Sequence, residues 1–144
     1  MSSRPLHTVL AKAALLTVTV ICLARLPASA IPQRPEPARL VNDLAGLFTA
    51  DQVGMLEREL VAFDDSTSNQ IAIVTVPQLY GYDKAQLAYT IGEQWGVGQQ
   101  KFDNGIVILV KPKTVNSSGE VFIATGYGLE GVVTDAFARR VIER

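Results

Sequence analysis

Two short β-branched runs, Ile71 to Val76 and Ile106 to Val110, bracket a capped helical repeat, and this strand–helix–strand order restricts the fold more than any other feature. Asp83 and Gln86 stand at capping-box spacing, Leu87, Ala88, Ile91 and Trp95 mark one helix face, and Gly96 and Gly98 end it. A helix of that length between two strands makes a βαβ unit, so the strands run parallel with a right-handed crossover. The polar loop Lys111 to Ser118 is too short for a second crossover, so the next run, Val121 to Thr125, returns antiparallel as a hairpin. Upstream, Thr49 and Gln52 cap a helix predicted over Ala50–Phe63, with Asp64 to Ser68 expected to break it. Val41 to Phe48 reads as an ordered loop. Thr134 caps a last helix whose apolar stripe is Phe137, Val141 and Ile142. The expected fold is α/β, with a small mixed sheet made of the βαβ unit and an antiparallel hairpin strand.

The first thirty residues follow a different logic. Arg4, His7 and Lys12 precede an unbroken apolar run from Ala13 to Ala24, and Ala28-Ser29-Ala30 supplies the small residues of a cleavage site. The run is well short of the roughly 20 residues that cross a bilayer, which favours a cleavable secretory signal over 1–30 against an uncleaved anchor. Cys22 lies behind Val20-Ile21 rather than a small residue, which disfavours a lipoprotein signal. Residues 31–40, with three prolines between Ile31 and Arg39, are expected to form an extended Pro-rich linker, and residues 41–144 the domain. The location implied is extracytoplasmic: secreted, periplasmic or a thylakoid-lumen-like compartment.

Signal removal narrows the chemistry. His7 and Cys22 are the chain's one histidine and one cysteine, and both precede residue 31. The expected mature chain therefore has no Ser-His-Asp triad, no thiolate nucleophile, no His/Cys zinc site and no disulfide. Three of the thirteen basic residues and none of the fourteen acidic ones leave with the signal, so 14 acidic residues face 10 basic ones, a net charge of −4. That balance argues against a nucleic-acid partner. Carboxylates, hydroxyls and amides remain to build a site.

Chain reversal between the second and third of these runs brings Asp103 toward Gly126–Gly131, Glu130 and Asp135. Read alone, Asp103-Asn104-Gly105 is a turn that launches a strand. Beside further carboxylates, it is a candidate ligand for a hard cation, and calcium suits such a loop-built group better than zinc. Gly126-Tyr127-Gly128-Leu129-Glu130-Gly131 matches G-x-G-x-x-G, but no partner strand follows and an acidic ribose ligand would fall beyond the chain end, so no dinucleotide is expected. The backbone N–H groups of Gly126 and Gly128 are candidates for holding a phosphate. Trp95 is expected to be core, Asp64-Asp65 a solvated helix end, and Asn116-Ser117-Ser118 fits a glycosylation acceptor only in a eukaryotic secretory pathway.

Taken in order, Val41-Asn42-Asp43, the helix after Thr49, the strand Gln70 to Val76, Trp95-Gly96-Val97-Gly98, Asp103-Asn104-Gly105, and Thr125 to Gly131 with Asp135 resemble the TPM domain family, named after a thylakoid-lumen phosphatase, a photosystem II repair protein and a nematode receptor modulator. The resemblance covers about Leu40 to Arg144. It implies a three-layer α/β/α sandwich and a divalent-cation site, Ca2+ or Mg2+, with Asp43, Asp103, Glu130 and Asp135 as its candidate residues. Acid phosphatase activity is attributed to some members. Others act in membrane-protein maintenance or receptor modulation, which implies a membrane-protein or cell-envelope partner. Members usually continue beyond the last helix, so this chain is expected to be a shortened one. Two functions follow from the resemblance: a metal-dependent acid phosphatase acting on phosphomonoesters, with water or a carboxylate as nucleophile, or a noncatalytic calcium-binding interaction module.

Overall fold

A computed structural model describes residues 31–98 and 103–144. The secretory signal expected over 1–30 lies outside the described residues, as do Lys101 and Phe102. The elements run β1 (Val41–Asp43), α1 (Ala50–Thr67), β2 (Gln70–Thr75), α2 (Lys84–Trp95), β3 (Gly105–Lys111), β4 (Glu120–Thr125), a 3-10 turn (Tyr127–Leu129) and α3 (Asp135–Ile142). Among the described residues no helix is long and apolar enough to cross a membrane.

The sheet order is β1-β2-β3-β4. Strands β2 and β3 pair in parallel, with Ala72 opposite Val107 and Val74 opposite Leu109. Strand β4 returns antiparallel, setting Ala124 against Val107 and Phe122 against Leu109. The βαβ unit and the hairpin are thus as expected. Every second residue lines one face, and that face with Leu87, Ala88, Ile91 and Trp95 of α2 forms the core. Leu87 and Ile91 are fully buried, each stabilising the fold by about 1.5–3 kcal/mol. Helix α1 lies over β1 and β2 on the opposite face, and α3 rests against β4.

Four departures from the sequence reading have physical causes. Val41–Asp43, expected as loop, is an edge strand parallel to β2, with Val41 opposite Ile73 and Asp43 opposite Thr75. Its outward backbone is not left bare, because the Glu57 carboxylate accepts from Val41 N–H at 2.7 Å and Leu40 N–H at 3.0 Å. Helix α1 begins at the expected cap, where Gln52 N–H donates to Thr49 Oγ1 and Thr49 N–H to Gln52 Oε1. It then runs through the expected break to Thr67, because the Ser66 and Thr67 hydroxyls bond back to the Phe63 carbonyl at 3.0 and 2.8 Å instead of competing for helix amides. Ser68, left-handed at φ 58°, ends it.

Residues 31–39 are strapped to the fold rather than forming a free spacer. The buried Trp95 indole N–H needs an acceptor and finds the Pro32 carbonyl at 2.9 Å, while Arg34 Nη1 donates to the Trp95 carbonyl at 2.7 Å. Finally, the stripe of α3 does not enter the core. Ala138 is the one buried residue of that helix, and Phe137, Val141 and Ile142 stay 40–51% exposed.

Candidate functional site

The end of the sheet holding the start of β3 and the end of β4 is stitched together by backbone contacts. Gly98 and Gly105 cross so closely that a Cβ on Gly105 would lie 2.2 Å from the Val97 carbonyl oxygen. Gln70 spans the same rim, its Oε1 accepting from Gly98 N–H at 3.0 Å and its Nε2 donating to Asp64 Oδ2 at 3.1 Å. Asp64 is therefore engaged within the rim, where the sequence had suggested a solvated helix end. Asn104 anchors the approach to β3 by donating to the Ser68 carbonyl.

Asp103 meets the glycine turn directly. Gly128 N–H donates to the Asp103 carbonyl at 2.8 Å, and Gly126 N–H to the Gly105 carbonyl at 2.9 Å. A Cβ on Gly128 would sit 2.9 Å from Asp103 Oδ1, so only glycine leaves room for that side chain. Glu130, two residues on, and Asp103 stand exposed on one rim of the domain. The same two hydrogen bonds occupy the amides of Gly126 and Gly128, so a phosphate would have to displace backbone pairing to use them.

Asp135 is the first residue of α3, behind the Thr134 cap, where its charge favours the helix N-terminus. It lines a groove of about 720 Å³ beside Tyr89, Phe122 and Ala138. Burial raises the pKa of the Tyr89 hydroxyl, and the charges of Asp135 and Glu130 raise it further. The negative field of both carboxylates therefore reaches the ring.

Asp43 lies elsewhere. It pairs with Thr75, five residues along β2 from Gln70, which marks the Asp103 rim. At about 3.3 Å per residue the separation is about 16 Å, beyond any shared ion. Its carboxylate is also fully engaged: Oδ1 accepts from Leu47 N–H at 2.8 Å and from the Thr75 hydroxyl, and Oδ2 from Phe48 N–H at 2.9 Å. Burial pushes its pKa up, but these hydrogen bonds outweigh burial and hold it below the ordinary carboxylate value. Asp43 organises the turn after β1. A groove of about 800 Å³ opens there with Glu36 and Glu57 also in its wall, and Glu57 spends its oxygens on the Leu40 and Val41 amides.

Among the described residues no three His, Cys, Asp or Glu side chains converge on one point. The four carried-over carboxylates thus divide into Asp103 and Glu130 at one rim, Asp135 beside Tyr89, and Asp43 at the far end. The carboxylate that sequence reading passed over is Glu93, which lines a cavity with Tyr89, Thr125, Tyr127 and Glu130. Its signal was the four-residue spacing from Tyr89, which puts both on one helix face.

The comparisons agree with the architecture. The model of the TPM domain matches residues 41–144. A search of curated proteins finds no match. Among solved structures, the N-terminal domain of a protein from P. gingivalis, determined in solution by NMR, is similar at 32% identity and a TM-score of 0.63, over 73% of this chain. The present chain spans 64% of that one's length. With a family match running from the first strand through the last helix, the chain belongs to the TPM domain family.

Proposed function

We propose that this TPM domain works outside the cytoplasm as a noncatalytic, calcium-binding interaction module for a membrane-protein or cell-envelope partner. The observation that carries the reading is the hydrogen bond from Gly128 N–H to the Asp103 carbonyl, which keeps Asp103 and the Glu130 turn on one rim. Carboxylate and carbonyl oxygens suit calcium, which accepts irregular geometry and completes its shell with water. Asp103 and Glu130 are the residues that would hold it. Magnesium, which demands a nearly ideal octahedron, suits two exposed loop carboxylates less well. The export pattern of residues 1–30 supports the location.

The hydrolase reading has less support from this geometry. Phosphoryl transfer needs donors aimed at the developing charge, and the Gly126 and Gly128 amides are spent on the backbone. Thermal melts in calcium, magnesium and chelator test the proposal. Calcium should raise Tm through linkage to the folded state, and Asp103→Asn should abolish the rise. An unchanged melt removes the cation premise. Turnover of a phosphomonoester at acidic pH, lost with chelator and in Asp103→Asn, would replace this reading with the phosphatase.

A further inference from the structure

A cavity of about 250 Å³ opens between α2 and the glycine turn, walled by Tyr89, Glu93, Thr125, Tyr127 and Glu130. Among the described residues its lining contains two phenol rings and two carboxylates, and no basic side chain. Neither Glu93 nor Glu130 has a salt-bridge partner among the described residues; the one ion pair there joins Lys84 to Glu120 at the opposite end of α2. Tyr127 is 78% exposed and Tyr89 39%, so both rings can be reached from solvent. The field of Asp135 also reaches the Tyr89 ring, adding to that of Glu130.

Carboxylates without an ion-pair partner among the described residues, beside solvent-exposed aromatic rings, favour an organic cation. The rings attract it through their quadrupoles, and the carboxylates supply charge-assisted hydrogen bonds. The volume falls below the range of about 300–1,000 Å³ usual for drug-sized ligands, and matches a single side chain. Guanidinium fits better than ammonium: it is planar, weakly hydrated, stacks on aromatic faces and offers a fork of five donors that can serve two carboxylates. We propose that this cavity receives an arginine side chain of a partner polypeptide, with Glu93 and Glu130 pairing the guanidinium and Tyr89 and Tyr127 flanking it. The proposal deepens the interaction-module reading by naming the partner's chemistry, and rests on that reading in taking this rim as a docking surface.

The test is a titration of the full chain with acetyl-arginine amide, in chelator, followed by amide NMR. Saturable shifts at Tyr89, Glu93, Thr125 and Tyr127 are expected. The citrulline and lysine counterparts should bind at least about tenfold more weakly, a difference of about 1.4 kcal/mol. Glu93→Gln, an exposed and nearly isosteric change, should weaken arginine binding similarly while leaving the melt and the calcium response intact. Asp103→Asn should leave arginine binding intact. Absence of shifts, equal binding of citrulline or lysine, or wild-type affinity in Glu93→Gln overturns the proposal. Loss of the calcium response with arginine binding retained removes the cation reading alone, and the converse removes the arginine site alone.

Discussion

Gly128 and Asp103 are in direct backbone contact across 25 residues of sequence, the amide of one donating to the carbonyl of the other at 2.8 Å. A methyl group on Gly128 would lie 2.8 Å from that carbonyl oxygen and 2.9 Å from Asp103 Oδ1. The carbonyl cannot rotate aside as a flexible side chain would. Gly128→Ala should therefore cost about 1–3 kcal/mol and separate the turn from Asp103. Melts in calcium and chelator should show a lower Tm and a smaller calcium-induced rise than in the parent chain.

Gly105 tests the crossing at the same rim. Its added Cβ would lie 2.2 Å from the Val97 oxygen and 2.7 Å from the Val97 carbonyl carbon, both backbone atoms. Gly105→Ala should destabilise by about 3 kcal/mol or more. Gly46→Ala is the control: nothing lies within 4 Å of its added Cβ, and its φ of +64° carries the left-handed cost of about 1–2 kcal/mol. Urea unfolding of the two variants separates overlap from backbone conformation.

Periodicity and loop length made most of the fold legible. Short β-branched runs marked β2 and β3, and the short connection before β4 dictated its direction. Val41–Asp43 was hidden because three residues containing Asn and Asp have little strand propensity; the strand exists because β2 offers an open edge and Glu57 covers the outward amides. Asp43 entered the candidate set through the family resemblance and not through an expected place in the sheet. A parallel strand ending at Asp43 puts it at the rim opposite Asp103, whereas a loop leaves its position open. The Asp103–Glu130 neighbourhood followed from chain reversal alone. Glu93 was missed because an exposed helical glutamate is unremarkable until the glycine turn is folded against it.

Lys111 makes a third test, because its buried amine has no acidic partner within ion-pair distance among the described residues. The residue is 8% exposed, and Nζ donates to Ser117 Oγ at 2.9 Å and to the Ser118 carbonyl. These bonds tie the hairpin loop to the end of β3. Lys111→Met keeps an unbranched apolar stem but leaves the Ser118 carbonyl without this donor, at a cost of about 1–2 kcal/mol. Hydrogen exchange should accelerate from Lys113 to Gly119, with the Leu109 amide in the core strand still protected.

The Asp43–Thr75 pair distinguishes a structural carboxylate from a ligand. Three donors converge on Asp43, so its pKa is held below the ordinary value. A depressed folded-state pKa contributes stability above the unfolded-state value, and that contribution is lost as pH falls through the folded-state pKa. Asp43→Asn turns one acceptor into an NH2 that cannot serve all three donors, and should cost about 1–3 kcal/mol at neutral pH. The gap between parent and variant should stay level from pH 7 to 5, then shrink below the ordinary aspartate range. Thr75→Val removes one donor and should cost less alone. In the Asp43→Asn background its added cost should fall, since the two residues share one interaction. Urea titrations of the four proteins at pH 7 and pH 3 measure both effects. A gap independent of pH, or fully additive costs, would show that the carboxylate charge contributes nothing at this turn.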